Sequence, residues 1–350
     1  MINRDLNVYF FKKVKMSRFK VKKYLLNVLI TFLIAFLLGS CSSSSKFNNT
    51  FYNVNFYIDD NLYFSEKIMS GQRCSEIMAP NKSTYQFKYW VDENDNLFKI
   101  NDSTKINGNL NLYAYYEYNE DLAKCSISSK EITGNFLVKN TTKFQDSFLW
   151  FKWSSKTDCL GSAVVFNKIG STYYALTNSH CILGNNEKIA EQALDSSFFT
   201  IEVADYNENV ISAEVVYYDV NYDLGILKFN SNNDYYVAPL ANIEGSKCDK
   251  VIAVGNPYGK RNIITFGSIN DFPTVKIWSS EKVSNVEFPV IQSSTECHPG
   301  NSGGPLYNDK LEIVGINYAG SNFLWKHITY SIGINMINEF LQTFSDRSYL

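Results

Sequence analysis

Gly300-Asn301-Ser302-Gly303-Gly304-Pro305-Leu306 is the stretch that decides how this chain of 350 residues is interpreted. Its three glycines permit backbone conformations and close approaches that a side chain would prevent, so the turn can expose one hydroxyl beside backbone N–H groups. Two amides converging near Ser302 would bind an oxyanion, with about 3 kcal/mol of barrier lowering for each donor. A serine hydroxyl is a weak nucleophile at neutral pH and needs a base. The stretch therefore predicts a nucleophile loop that requires an imidazole and a carboxylate from elsewhere.

The chain offers three histidines as the base, at positions 180, 298 and 327. His180 follows the strand-like run Leu176-Thr177-Asn178-Ser179, whereas the other two are interpreted as surface or cleft-rim residues. Asp223 directly precedes the apolar strand Leu224-Gly225-Ile226-Leu227, which can hold a carboxylate rigidly, and Asp219 is the alternative four residues earlier. The spacing of histidines and cysteines is not that of a zinc site, so neither a metal nor another cofactor is predicted.

Together with Gly161-Ser162-Ala163-Val164-Val165-Phe166, these segments resemble the trypsin/chymotrypsin superfamily, and most of all its bacterial HtrA/Deg branch. The resemblance implies an all-β fold of two antiparallel six-stranded barrels over residues 144–350. In a departure from the Deg proteases, a PDZ domain is not expected. A C-terminal helix is predicted over Ile334–Phe344. The resemblance further implies a serine endopeptidase acting on a protein or peptide through a His180-Asp223-Ser302 triad and an acyl-enzyme. The backbone amides of Gly300 and Ser302 would be the oxyanion donors.

Two residues lead to different predictions for the primary specificity pocket. Glu296 stands six residues before Ser302, at the pocket base in this superfamily, and would favour a basic side chain. The Deg-like alignment places Ile328 across the same pocket, which would favour small aliphatic residues. Because a buried unpaired carboxylate is costly, we expect Glu296 to face solvent or to pair with Arg or Lys. Residues Asn317, Tyr318 and Ala319, with Gly320, should form the edge strand that pairs with the substrate backbone.

Six cysteines accompany Cys41, at positions 74, 125, 159, 181, 248 and 297. The resemblance implies a Cys159–Cys181 disulfide that would hold the loop carrying His180, because the same bond is common in animal trypsins. Closing a loop of about 20 residues is worth about 3 kcal/mol in the chain-entropy model. The pairing of the other four cysteines remains open.

The first 40 residues form a targeting segment. They contain eight Lys or Arg and one acid, and residues 24–38 are uncharged and apolar. A basic region, a short apolar run and small residues are typical of a secretory signal. The following Leu38-Gly39-Ser40-Cys41 resembles a bacterial lipobox, which implies cleavage before Cys41 and lipidation of its sulfur, palmitate included. The protein would then sit on the extracytoplasmic face of a bacterial membrane, with residues 41–50 as a tether. An uncleaved signal anchor is the alternative, and translation could start at Met1 or Met16.

Residues 51–118 alternate apolar and polar side chains, which indicates half-buried strands separated by turns. Their order, from Val54-Asn55-Phe56 through Tyr85-Gln86-Phe87 to Leu112-Tyr113-Ala114-Tyr115, resembles the internalin-type (Listeria–Bacteroides) repeat. That family implies a small β-grasp-like module with a spacer or adhesive role. Residues 119–143 are interpreted as a linker.

The charge balance excludes one class of partner. Subtracting the first 40 residues from the chain totals of 33 basic and 35 acidic residues leaves 25 and 34, a formal charge of −9. Such an acidic surface is a poor binder of polyanions, so nucleic acid is not expected as a partner. The competing hypothesis to a peptidase is a non-enzymatic surface adhesin or pseudoprotease built on the same fold.

Overall fold

A computed structural model describes residues 50–100, 104–148, 151–184, 199–276, 281–323 and 326–347. These residues form one five-stranded sheet, two closed barrels of six strands each and a C-terminal helix, which confirms the predicted all-β class. Residues 1–40 and Cys41 lie outside the described part of the chain. Within that part, no helix is both long and apolar enough to cross a membrane.

The N-terminal module is a sheet in which the first and last strands pair in parallel. Alternating residues of these strands point into one core, where Val54, Phe56 and Leu112 are fully buried and Trp90 donates its indole N–H to the carbonyl of Ile77 at 2.7 Å. The strand order is β2-β1-β5-β3-β4. The strands are β1 (Phe51–Ile58), β2 (Asn61–Met69), β3 (Tyr85–Val91), β4 (Leu97–Phe98) and β5 (Leu110–Tyr118).

The stretch 119–143, expected as a linker, contains helix α1 (Glu120–Ser129), a 3₁₀ turn and the beginning of the first barrel. Asn119 caps α1, because its side-chain oxygen accepts the N–H of Leu122 at 2.9 Å. Ala123 and Ile127, one helical turn apart, are fully buried in a core that they share with the second barrel. The helix is therefore packed into the larger domain.

The module also contacts the second barrel directly. The hydroxyls of Thr84 and Tyr85 donate to the backbone and to the side chain of Asp309, which lies in a turn of that barrel. Ser126 of α1 donates to the carbonyl of Ser83 at 2.8 Å, so the helix and the module share this contact region. The module is thus held against the second barrel, closer than a free spacer would be.

Replacing Ile127 with alanine tests this packing. Because Ile127 is fully buried, its truncation is expected to lower the free energy of unfolding by about 2–5 kcal/mol. Urea or thermal unfolding measures the change, and Ser128→Ala, at an exposed position of the same helix, is the control. A loss similar to that of the control would show that α1 is not part of the core.

The first barrel encloses a core of aromatic and aliphatic side chains that includes Phe136, Tyr173 and Phe229. Its strands close antiparallel in the order β10-β11-β8-β7-β6-β9. They are β6 (Asn135–Phe148), β7 (Phe151–Ile169), β8 (Thr172–Thr177), β9 (Phe199–Ala204), β10 (Val210–Asp219) and β11 (Leu224–Asn230). The short helix α2 (Ser179–Leu183) follows β8.

The second barrel closes in the order β12-β13-β14-β17-β16-β15. Its strands are β12 (Lys250–Gly255), β13 (Ile263–Asp271), β14 (Ile291–Ser293), β15 (Pro305–Tyr307), β16 (Ile313–Phe323) and β17 (Lys326–Gly333). Helix α3 (Ile334–Arg347) confirms the predicted C-terminal helix and extends three residues beyond its expected end. Phe340 of α3 stacks on Tyr217 of β10 with ring centroids 5.2 Å apart, so α3 joins the two barrels.

Candidate active site

His180 and Asp223 form a buried pair at one wall of the junction between the barrels. The ring Nδ1 of His180 lies 2.8 Å from Asp223 Oδ2 and 3.1 Å from Oδ1, and the backbone N–H of His180 donates to Oδ1 at 3.1 Å. The two residues are 3% and 0% exposed. Helix α2 presents the imidazole, and the carboxylate comes from the turn before β11. A carboxylate in this position can fix the tautomer in which Nδ1 carries the proton.

The turn around Asp223 explains why the carboxylate is placed so rigidly. Asp223 adopts a left-handed backbone conformation with φ of 50°, which Asp tolerates better than most residues. Asn178, two residues before His180, donates its side-chain amide to the carbonyl of Asp223 at 2.7 Å. The histidine segment and the aspartate turn therefore hold each other in place.

The electrostatics of the pair favour a protonated imidazole. Burial alone would lower the pKa of His180, but the adjacent Asp223 carboxylate, with a further contribution from Cys181, raises it above its ordinary value of 6.5. A histidine that acts as a base must be neutral, so any reaction that uses it would be favoured by higher pH.

Ser302 lies in the loop between β14 and β15. Its Oγ donates to the carbonyl of Tyr318 at 3.3 Å, and its own carbonyl accepts the N–H of Ser162 at 2.7 Å. The thiol of Cys181 also donates to the carbonyl of Ser302, at 3.4 Å. Because Cys181 directly follows His180, the loop bearing the hydroxyl is seated against the segment that bears the imidazole.

The glycines of this loop are required by its close packing. His298, Pro299, Gly300 and Asn301 form a turn closed by the N–H of Asn301 and the carbonyl of His298 at 3.0 Å, with Gly300 at φ of 104°. Proline at the second position and a positive-φ glycine at the third are the signature of a type II turn. A Cβ on Gly300 would lie 2.5 Å from the carbonyl oxygen of Asn256, and one on Gly303 would lie 2.0 Å from that of Ser162. The predicted need for glycine is confirmed.

Two amides of the loop are available to a ligand. The N–H groups of Asn301, Gly303 and Gly304 donate to protein carbonyls. Those of Gly300 and Ser302 donate to no acceptor among the residues that the structure describes. They belong to Ser302 itself and to the residue two positions before it, so together they could bind a negative charge that develops beside the hydroxyl.

Comparison with known proteins assigns both parts of the chain. The family model described as trypsin-like peptidase domain matches residues 161–316. Residues 161–316 are a trypsin-like peptidase domain. The model described as Listeria-Bacteroides repeat domain matches residues 52–115, which are therefore such a repeat.

Two curated relatives of the peptidase domain are bacterial proteins. Serine protease Do-like HtrB of Bacillus subtilis is 32% identical over 160 residues, 45% of this chain and 32% of the relative. A probable periplasmic serine endoprotease DegP-like of Pseudomonas fulva is 33% identical over 159 residues, 45% of this chain and 28% of the relative. The chain thus spans about a third of the length of these relatives. A variant of the HtrA-type protease AlgW, solved with a decapeptide, has a similar fold, with a TM-score of 0.50 and 21% identity over 64% of this chain and 67% of that one.

A residue that the sequence reasoning did not single out, Ser162 of the peptidase domain, organises the nucleophile loop. Its Oγ donates to the carbonyl of Gly300 at 2.7 Å and accepts two bonds from Asn256, one from the backbone and one from the side chain, each at 3.0 Å. These bonds fix the peptide that joins Gly300 to Asn301, which lies in the chain between the amides of Gly300 and Ser302. The Gly161-Ser162 pair was visible in the sequence, but its contact with a loop 138 residues later was not.

Glu296 of the peptidase domain faces solvent, as one of the two expectations stated, since its side chain is 43% exposed, and it also has a partner that was not expected. Its Oε1 lies 2.6 Å from Nε2 of His298, so the partner is a histidine two residues away and neither Arg nor Lys. The other side of that ring faces Tyr258, whose hydroxyl is 3.4 Å from Nδ1. The carboxylate is therefore held by the turn that carries Pro299 and Gly300.

The other predicted pocket residues differ in burial and in the groups that they direct at their neighbours. The side chain of Asn317 is turned into the barrel, where it donates to the carbonyl of Pro305 and accepts the hydroxyl of Ser331. Tyr318 is fully buried and presents its carbonyl to Ser302, and Ala319 is 8% exposed. Ile328 on β17 is half-buried and pairs in register with Ser321 on β16.

The predicted Cys159–Cys181 disulfide is not formed in this structure. The six described cysteines are free thiols, and Cys181 is engaged by the carbonyl of Ser302. Burial and then the neighbouring Cys181 raise the pKa of the Cys159 thiol to about 12. No group of His, Cys, Asp and Glu among the described residues could hold a metal ion.

Proposed function

We propose that the peptidase domain is an active serine endopeptidase in which His180, Asp223 and Ser302 form the catalytic triad. The observation that carries the proposal is the buried His180–Asp223 pair, packed against a glycine loop that bears Ser302 and two available amides. The relatives named as serine proteases and endoproteases support this activity. The HtrA-type neighbour that was solved with a decapeptide supports a peptide substrate.

The mechanism is acyl transfer. The carboxylate of Asp223 holds the Nδ1–H tautomer, so Nε2 of His180 is the atom that takes the proton of Ser302 as Oγ attacks the peptide carbonyl. The negative oxygen of the tetrahedral intermediate is bound by the amides of Gly300 and Ser302. His180 then gives its proton to the leaving amine, the C–N bond breaks, and an ester on Ser302 remains. Water, deprotonated by His180, hydrolyses this ester and regenerates the serine.

A fluorophosphonate probe tests the proposal on the full chain. The probe reacts with a serine hydroxyl only where a base and an oxyanion site activate it. We expect stoichiometric labelling that peptide mapping assigns to Ser302, and none in Ser302→Ala. The control Ser128→Ala, at an exposed helix position, should label like the wild type. A folded wild-type protein that stays unlabelled and leaves casein intact would favour the adhesin or pseudoprotease alternative.

We further propose that the protein is anchored at the extracytoplasmic face of a bacterial membrane through a lipid on Cys41. The basic and apolar segments before Leu38-Gly39-Ser40-Cys41 support this location. More than one acyl chain is needed for stable anchoring, which lipidation of this cysteine would supply. Metabolic labelling with palmitate in a bacterial host should mark the wild type and not Cys41→Ser; equal labelling of both would contradict the anchor.

A further inference from the structure

Ser179 is a buried serine between the Asp223 carboxylate and a segment of the second barrel. It is fully buried, and its Oγ lies 2.8 Å from Asp223 Oδ1 and 2.8 Å from the carbonyl oxygen of Val283. Nothing in the proposed triad chemistry uses this hydroxyl. Its position directly before His180 nevertheless places it in contact with the group that orients the imidazole.

The hydroxyl has one proton and two neighbouring acceptors, so it can donate fully to only one of them. The carboxylate is the stronger acceptor because it carries a formal charge. Asp223 Oδ1 then receives donors from the Ser179 hydroxyl and from the backbone N–H of His180, while Oδ2 faces the ring Nδ1. Burying a carboxylate away from water is costly unless such donors satisfy its oxygens.

The segment that supplies the Val283 carbonyl also holds the aspartate turn. Residues 281–286 lie between β13 and β14 of the second barrel, but the side chain of Val283 packs in the core of the first barrel. The N–H of Asn285 donates at 2.7 Å to the carbonyl of Val220, which also accepts the N–H of Asp223. One segment therefore contacts both Ser179 and the turn that carries the carboxylate.

We infer that Ser179 is a positioning residue for catalysis, which fixes and solvates the Asp223 carboxylate through a direct hydrogen bond. The inference rests on the proposed function, because it acts through the His180–Asp223 pair. Tyr318 and Cys181 are the other titratable groups facing this pair, and neither donates to the carboxylate among the hydrogen bonds of the described residues. The Ser179 hydroxyl is thus the one side-chain donor, besides the imidazole, that the described residues direct at the carboxylate of Asp223.

Ser179→Ala has a specific kinetic consequence. Without the hydroxyl, the negative charge of Asp223 is less stabilised and interacts more strongly with the imidazolium form of His180. The low-pH limb of kcat/KM, which reports the base in the free enzyme, should move to higher pH. Loss of a hydrogen bond to a charged group should lower kcat/KM at the optimum by roughly tenfold or more.

The experiment compares Ser179→Ala with Ser284→Ala on a chromogenic peptide substrate, with active sites counted by fluorophosphonate titration. Ser284 is the matched control because it is equally buried in the adjoining segment, while its hydroxyl has no partner among the described residues. We expect only Ser179→Ala to shift the limb. A low-pH limb of kcat/KM that is unchanged in Ser179→Ala, or shifted equally in both variants, would overturn the inference. Turnover by the wild type would in that case still uphold the proposed function. A wild type as inert as Ser302→Ala would instead refute the proposed function.

Discussion

Ser302→Ala and His180→Ala should each lower kcat by about 10⁶-fold, because nucleophile and base act as a unit and neither works without the other. The double variant should lose no more than either single variant. Two residues with independent roles would instead lose the product of the two effects. A residual rate about 10³-fold above the uncatalysed reaction is expected, since the amides of Gly300 and Ser302 would still bind the oxyanion.

The measurement is steady-state hydrolysis of a peptide substrate, with the fraction of folded protein checked by circular dichroism. Ser128→Ala, exposed on α1, controls for the loss of a serine hydroxyl that lies outside the site. A Ser302→Ala variant within tenfold of wild type would mean that another nucleophile does the chemistry. Multiplicative losses in the double variant would mean that His180 is not the base for Ser302.

The contact between His180 and Asp223 was predictable from local signals. Each residue sits at the end of a strand whose apolar pattern was clear in the sequence, at β8 and β11. The rival Asp219 turned out to cap a turn, because its Oδ1 accepts the backbone and side-chain N–H groups of Asn221. Short polar side chains commonly make such local bonds, so a carboxylate four residues away could not be dismissed from the sequence alone.

The docking of the N-terminal module was not predictable in the same way. Only two residues of α1, Ala123 and Ile127, are fully buried, and two buried positions in a helix of ten residues give a weak helical pattern. Their burial depends on the second barrel, whose contact surface is formed by residues far along the chain. The same limit applies to Ser162, which meets Gly300 only after both barrels have folded.

The histidine partner of Glu296 was unexpected for a different reason. The cost of burying a carboxylate predicted solvent exposure or an Arg or Lys partner, and the side chain is 43% exposed but also contacts His298. Glu296 and His298, two positions apart, meet at 2.6 Å just before the turn that begins at His298. A contact at this spacing depends on the local backbone conformation, which the sequence permits without specifying.

Asp223→Asn should lower kcat by about 10⁴-fold. The amide carries no negative charge to hold the Nδ1–H group, and it favours the wrong tautomer of His180. The substitution is nearly isosteric, so the turn before β11 and the bond from Asn178 to the backbone carbonyl should persist. Burial lowers the pKa of His180, and the negative charge of Asp223 that raises it is lost in this variant. The residual activity of the variant should therefore begin to rise at lower pH than that of the wild type.

The titration of His180 also determines how the free energy of unfolding depends on pH. In the wild type the folded-state pKa of His180 is raised above its unfolded value of about 6.5. The stability contributed by the His180–Asp223 ion pair is therefore fully present below about pH 6.5, and it is lost as the pH rises through the folded-state value. Activity should increase over the range in which this contribution disappears. Urea unfolding and kcat/KM measured across one pH series test the link, and in Asp223→Asn both transitions should move to lower pH together. A stability transition that stayed in place while the kinetic limb moved would show that the residue controlling turnover is not the buried imidazole of His180.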